Sequence, residues 1–523
     1  MLRTNKHKDG YMQRVLVAAV VAGLVACAPA PESGRPGEAV FMKPCPGFAE
    51  TGKPALVYGA QCGELLLREN PDDPASAEIR VAILRLPAIN PSPQKDPLFL
   101  IQGGPGGSSI DMAEQVLQTF ADVRKNRDLV FVDQRGTGQS NPLNCAEQDE
   151  ADMQLPEQEQ AQRHFARMRA CGEQYAAQVP FYTTPYAVAD LDAVRAALGY
   201  EQINLWGGSY GSRVVLEYMR TRPERLRAVV MDGLAPVQIA LPKYFARDAS
   251  TALQALNKEC TQQPQCAEQY GDLMQQADAI LAYLRKQQAR GSPVRVDYEH
   301  PRNQQREILW LTPRNFSSLV FMSLYSRDLT VLLPQALHKA AQQDYRLLAS
   351  LHALASAQTA FIKVSEGMRY SVVCNEDARF ITADDLAQGH LFLGMDMLYE
   401  FGEICAHWPK AEVPDRYFGP VVSDVPALLL SGGYDPVTPY TWAEQVAAHL
   451  SQASLLAAPG GNHIVSTDGC VPQIITQFIE QGGIGTMNTE CITRIKPLPL
   501  VLGANEKKSS AGSSAGSSES VQP

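Results

Sequence analysis

The sequence has no cysteine pair at Cys-x-x-Cys spacing and no His-Glu-x-x-His run, so it lacks the common structural and catalytic zinc patterns. It has no basic stripe outside its extreme N-terminus. With 46 Lys and Arg against 56 Asp and Glu, a formal net charge of −10, it lacks the clustered cations with which nucleic-acid binders neutralise phosphates. No internal repeat of solenoid period is visible, which excludes a stacked-repeat architecture. The apolar run Val15 to Ala26 is too short to cross a bilayer comfortably. What remains is an ordinary globular composition, 45% hydrophobic and 20% charged over 523 residues, able to bury a sizeable core. One catalytic domain interrupted by a large insertion fits that length as well as two tandem domains do.

Arg3, Lys6, Lys8 and Arg14 precede the apolar run, and together they read as a cleaved export signal; a start at Met12 would make it more compact. Leu24, Val25, Ala26 and Cys27 resemble a bacterial lipobox, in which Cys27 takes the lipid and becomes the first residue of the mature chain. The competing interpretation is an ordinary signal with a chance cysteine and a secreted product. Ala28 is not the acidic residue of an inner-membrane retention signal, so the expected site is the periplasmic side of the outer membrane. Of the eleven cysteines, ten remain once Cys27 is assigned to lipid, an even number that suits an oxidising compartment. Neighbour pairing gives Cys45–Cys62, Cys145–Cys171, Cys260–Cys266, Cys374–Cys405 and Cys470–Cys491. It is one of on the order of 945 connectivities.

After a Pro- and Gly-rich stretch, short apolar runs alternate with helical periodicity. Leu98 to Ile101, Leu129 to Val132, Ile203 to Trp206 and Ala228 to Met231 read as strands buried on both faces. Val188, Leu191, Val194 and Leu198, then Val214, Leu216 and Tyr218, fit helix faces between them, so a mostly parallel sheet is expected. Beyond Pro236 the chain turns Gln-, Ala- and Leu-rich with helical spacing to about Phe401, and reads as a helical cap. Strand signals return at Ala427 to Leu430 and Ala453 to Ala458, with a helix between them around Trp442 to Leu450. The Ser-, Gly- and Ala-rich stretch 503–523 has too few apolar residues to offset the entropy of ordering it.

Gly207, Gly208, Ser209, Tyr210 and Gly211 form a Gly-x-Ser-x-Gly nucleophile elbow, directly after an expected strand and directly before a helix as the motif requires. Side chains at Gly207 and Gly211 would collide with neighbouring elements as the serine is thrust forward. A second Gly-rich run, Gln102 to Gly107, ends the strand Leu98 to Ile101. In this position a loop donates a backbone N–H to the oxyanion hole together with the residue after the nucleophile, here Gly104 and Tyr210. A serine hydroxyl needs a base. Of nine histidines, His463 alone follows an expected strand in a Gly-rich loop, Pro459 to Asn462, near the end of the fold. The orienting acid should end the preceding strand, which selects Asp435, with Asp232 as the rival.

These residues resemble the peptidase branch of the α/β-hydrolases that contains proline iminopeptidases and bacterial tripeptidyl aminopeptidases. The likeness rests on Gly103 to Gly107, on Asp133, Gln134, Arg135, Gly136, Thr137, Gly138, Gln139 and Ser140, on the elbow, and on Asp435 to Pro439. Arg135 is expected to hold loops together through ion pairs. Tyr210 after the serine and the run Ser371 to Asp377 look like the tripeptidyl type, whereas proline iminopeptidases usually carry tryptophan there and a histidine where this chain has Gln102. The resemblance implies an exopeptidase acting on peptides with a free amino terminus, held by acidic groups near the cap. Glu376 and Asp377 are the candidates on charge grounds, since a buried ammonium needs a partner; the alternative is that they hold Arg369 or a neighbouring loop.

The expected organisation is a signal over 1–26, a tether over 27–40, an α/β-hydrolase core over 41–236 and 402–502, a helical cap over 237–401 and a disordered tail over 503–523. The expected chemistry is acyl transfer with Ser209 as nucleophile, His463 as base and Asp435 as its orienter. No cofactor and no metal are called for, no nucleic-acid partner is expected, membrane attachment runs through Cys27, and no oligomeric state is implied. An esterase or other small-molecule hydrolase is the nearest rival, and a non-catalytic surface protein that binds through its cap is the second.

Overall fold

The computed structural model describes residues 42–45, 59–149, 152, 155–359 and 363–502. The export signal, Cys27, the tether and the Ser-rich tail lie outside the described residues. Three strands, β1 (Lys43–Pro44), β2 (Gln61–Arg68) and β3 (Glu78–Leu86), form an antiparallel edge. The next four are β4 (Leu98–Ile101), β5 (Leu129–Val132), β6 (Ile203–Gly208) and β7 (Leu226–Asp232). Two small hairpins follow, β8 (Val294–Glu299) with β9 (Arg306–Leu311) and β10 (Leu391–Phe392) with β11 (Met395–Asp396). The last strands are β12 (Ala427–Gly432) and β13 (Ala453–Ala458).

A nine-stranded sheet organises these elements in the order β1-β2-β3-β5-β4-β6-β7-β12-β13. From β5 to β13 the neighbours run parallel, and β5 meets β3 antiparallel. Strands β4, β5, β6 and β12 are buried at every position because helices cover both faces of the sheet. Phe99, Val130, Leu205, Val229 and Leu429 meet one apolar layer, and Leu98, Phe131, Trp206, Val230 and Leu430 meet the other. The helices Thr184–Ala197 and Tyr210–Thr221 fall where the apolar spacing expects them. The helix expected around Trp442 to Leu450 spans Tyr440–Ala447.

Adjacent in the sheet, β7 and β12 pair Val229 with Ala427 although a long stretch of chain separates them. That stretch builds its own apolar core from helices such as Phe245–Gln262, Leu273–Ala289, Pro313–Ser323 and Leu333–Ala341. The two hairpins belong to it as well, so the region is mainly but not wholly helical. No helix among the described residues is long and apolar enough to cross a membrane.

Five disulfides join Cys45–Cys62, Cys145–Cys171, Cys260–Cys266, Cys374–Cys405 and Cys470–Cys491. Each joins cysteines that are neighbours in the sequence, as the simplest pairing suggests. Arg135 is buried with Asp190, which accepts two hydrogen bonds of 2.6 Å, while Nη1 donates to the Glu69 and Phe181 carbonyls. Four acceptors satisfy a charge whose burial without partners would be strongly destabilising. Arg135→Ala is expected to destabilise the protein by roughly 3–5 kcal/mol in a denaturant melt, because it leaves the Asp190 carboxylate buried and unpaired. A loss below about 1 kcal/mol would mean that this pair does not hold the loops together.

Candidate active site

The elbow begins where β6 runs out of room. A Cβ on Gly207 would lie 2.4 Å from the Gly211 carbonyl oxygen, and one on Gly211 would lie 2.4 Å from that of Ile101. Only hydrogen fits at either position. Between them Ser209 adopts φ 55°, ψ −127°, a conformation that non-glycine residues rarely take. The turn is held from two sides. Ser209 N–H donates to the Asp232 carbonyl at 2.8 Å, and the Ser209 carbonyl accepts from the Ser212 backbone and hydroxyl at 2.9 and 2.5 Å. Tyr210 opens the helix Tyr210–Thr221, so its own N–H belongs to the first turn, whose amides have no intrahelical acceptor.

The loop after β4 lies against this turn. A Cβ on Gly103 would be 2.8 Å from the Ser209 Cβ and 3.2 Å from the Tyr210 nitrogen. The Gly103 N–H is taken by Gln102 Oε1 at 2.9 Å, and the Gly107 N–H closes the loop on the Gly103 carbonyl. Gly104 follows at φ 124°. The Asp133 carboxylate accepts from Ser108 Oγ, Ile110 N and Gln139 N, which ties the end of the glycine loop to the Asp133–Ser140 run.

Asp435 and His463 arrive from the ends of β12 and β13. Their side chains meet at 2.9 Å, His463 Nδ1 to Asp435 Oδ2, with the carboxylate fully buried and the imidazole 9% exposed. Asp435 Oδ1 accepts from the Val437 and Thr438 amides, and the Thr438 hydroxyl donates to Oδ2 at 2.7 Å. Burial alone would raise the Asp435 pKa, but His463 and the Thr438 donors outweigh it and hold the carboxyl below its usual range. For His463, burial pulls the pKa down, while Asp435 and then Asp232 outweigh it and leave the imidazole above its ordinary value. Tyr325 stands edge-on to the ring at 5.2 Å between centroids.

Asp232, the rival for the orienting role, instead clamps the two halves of the site. Its carboxylate accepts from the Val465 and Ser466 amides and from the Ser466 hydroxyl at 2.6 Å, fastening the loop that carries His463. Its carbonyl holds Ser209. Burial raises the carboxyl pKa to about 6 against the pull of those donors. The packing follows: a Cβ on Gly233 would be 3.1 Å from His463 Cε1, and one on Gly208 would be 3.2 Å from Ile464 Cδ1. The imidazole loop, Asp435 and the Ser209 turn are thus brought together, with the Gly103–Gly104 loop beside them.

Glu376 and Asp377 do not join them as free acids. Both are fully buried, and Asp377 receives two 2.9 Å hydrogen bonds from Arg213 and one from the Leu241 amide. Glu376 accepts from the Thr184 amide and hydroxyl and from the Tyr417 hydroxyl, with Arg213 at 3.6 Å. Both carboxylates are engaged inside the protein, as the alternative of a structural role expects. Their cation is Arg213, on the helix that follows the elbow, and Arg369 lies instead over the Phe401 ring.

The family profile described as alpha/beta hydrolase fold matches residues 96–269, and the one described as TAP-like protein matches 390–491. Serine protease Hip1 of Mycobacterium tuberculosis is 25% identical over 488 residues, which cover 87% of this chain and 91% of that protein. Tripeptidyl aminopeptidase of Streptomyces lividans is 33% identical over 189 residues, covering 33% of this chain and 35% of that one. Proline iminopeptidase of Xylella fastidiosa is 27% identical over 162 residues, or 31% of this chain and 40% of that one. The chain belongs to the α/β-hydrolase family and is similar to its serine peptidases, among them tripeptidyl aminopeptidases and proline iminopeptidases.

Proposed function

We propose that this protein is an exported serine exopeptidase that cleaves peptides from a free amino terminus, of tripeptidyl or prolyl type. Ser209 is the nucleophile, His463 the general base and Asp435 the group that orients it and stabilises its charged form. The observation that carries the reading is the 2.9 Å contact between Asp435 Oδ2 and His463 Nδ1, which leaves the other ring nitrogen to take a proton. In the first step Ser209 Oγ bonds to the peptide carbonyl carbon as its proton passes to His463. The C–N bond then breaks and the leaving amine takes that proton. Water, deprotonated by His463, attacks the acyl-enzyme and releases the acid.

The developing oxyanion is assigned to the Gly104 and Tyr210 amides. Gly103, whose N–H already bonds Gln102, is not free for that task. Export and a lipid on Cys27, with the enzyme on the periplasmic side of the outer membrane, belong to the same proposal. Ten paired cysteines support an oxidising compartment for it.

Ser209→Ala is expected to lower turnover of peptide naphthylamides by about a thousandfold or more and to abolish labelling by a fluorophosphonate probe. Wild-type-like turnover by that variant would overturn the assignment. Acetylation of the substrate amino terminus should cut kcat/KM by roughly tenfold or more; a preference for short-chain esters, blind to blocking, would point to an esterase. The base works only when neutral, and its pKa is held above the ordinary 6.5. The acid limb of kcat/KM should therefore lie above that value, and Asp435→Asn should move it down while slowing the reaction. An unmoved limb would mean that another group titrates.

A further inference from the structure

A cavity of about 450 Å³ opens beside His463. Tyr325, Arg327 and Asp328 line it from the inserted helical region, and Thr467 and Asp468 line it from the loop that continues past the imidazole. None of Gly104, Ser209 and Tyr210 lines it. A serine peptidase divides its substrate at that boundary: the acyl half lies over the nucleophile and oxyanion donors, while the departing amine must reach the imidazole that gives it a proton. A cavity lined by His463 and not by the oxyanion donors therefore fits the leaving-group half.

The charges in that cavity do not cancel. Two carboxylates, Asp328 and Asp468, face one guanidinium, Arg327, so with His463 neutral the cavity carries an excess negative charge. Arg327 Nη1 lies 3.6 Å from Asp468 Oδ1, and its Nη2 donates to the Lys496 carbonyl. Asp468 Oδ2 is buried with no hydrogen-bond partner among the described residues, and so is Arg327 Nε. Only 13% of the Asp468 side chain is exposed. Burial raises its pKa, Arg327 opposes that, and Asp328 adds to it. Asp328 is exposed at the mouth.

We infer that this cavity selects a basic side chain in the residue just after the scissile bond, with Asp468 as its main partner and Asp328 at the entrance. An incoming ammonium or guanidinium pairs with the part of the Asp468 carboxylate that faces the cavity and with Asp328, and brings the cavity to neutrality. Arg327 holds Asp468 in place and disfavours a second cation deeper in. An acidic residue at the same position meets two carboxylates. The inference rests on the serine-exopeptidase reading and adds the leaving-group specificity of the same site.

The test is a peptide series with a free amino terminus and a constant acyl half, varied only after the scissile bond among Lys, Arg, Ala and Glu. The expected kcat/KM order is Lys and Arg above Ala above Glu, with Lys about fivefold over Ala, the size of a partly screened ion pair. In Asp468→Asn and in Asp328→Asn with Asp468→Asn that ratio should fall toward one, and raised salt should reduce it in the wild type. Equal rates across the series in the wild type overturn the inference without any variant. So does an unchanged Lys to Ala ratio in the double variant, or a loss confined to the discrimination between free and acetylated amino termini. If peptides are cleaved without this preference, the exopeptidase reading stands and the inference falls; if the wild type cleaves none of them and a fluorophosphonate fails to label Ser209, both fall.

Discussion

One buried carboxylate holds the site together. Asp232 ends β7, and its backbone oxygen accepts the Ser209 amide while its side chain accepts three donors from Val465 and Ser466. The serine turn and the imidazole loop are more than two hundred residues apart in sequence, yet both are fastened to the same residue. The sheet makes this possible, because β7 lies between β6 and β12. A carboxylate so deep is tolerated only with its acceptors filled, and its pKa of about 6 records how strongly burial opposes the charge even so.

Two buried cations serve a similar structural end. Arg135 joins Asp190 to two carbonyls, and Arg213 joins Asp377 and Glu376 to the helix behind the nucleophile. The second cluster also reaches Tyr210, whose hydroxyl meets Thr184 Oγ1 while Thr184 donates to Glu376. Acids that look like substrate ligands from their charge alone are thus part of the support for the residue after the serine. Among the described residues, buried carboxylate oxygens without a hydrogen-bond partner remain at Glu217 and at Asp468, the latter in the cavity beside His463.

Much of the fold is legible in short apolar runs, because strands covered on both faces have no polar side to confuse the pattern. Leu98–Ile101 and Leu129–Val132 have the bounds that their residues suggest. The antiparallel strands Gln61–Arg68 and Glu78–Leu86 carry charged residues at exposed positions, and they escape the same test. The hairpin Val294–Glu299 with Arg306–Leu311 alternates exposed and buried residues over a few positions, too briefly to stand out among helices. In the site, Asp232 and Asp435 both lie at strand ends, and strand position alone ranks them without separating their roles.

Local chemistry settles what can be decided within a few residues. The glycines around Ser209, the strand before it and the helix after it follow from the sequence, since steric collisions across a tight turn are set by adjacent residues. Neighbouring cysteines could likewise find each other over short loops. Which carboxylate meets which cation or donor was decided only by the tertiary structure. A charge acts on whatever lies within a few ångströms, and for Arg213 with Asp377, Asp232 with Ser466 and Arg327 with Asp468 those few ångströms span more than a hundred residues of chain.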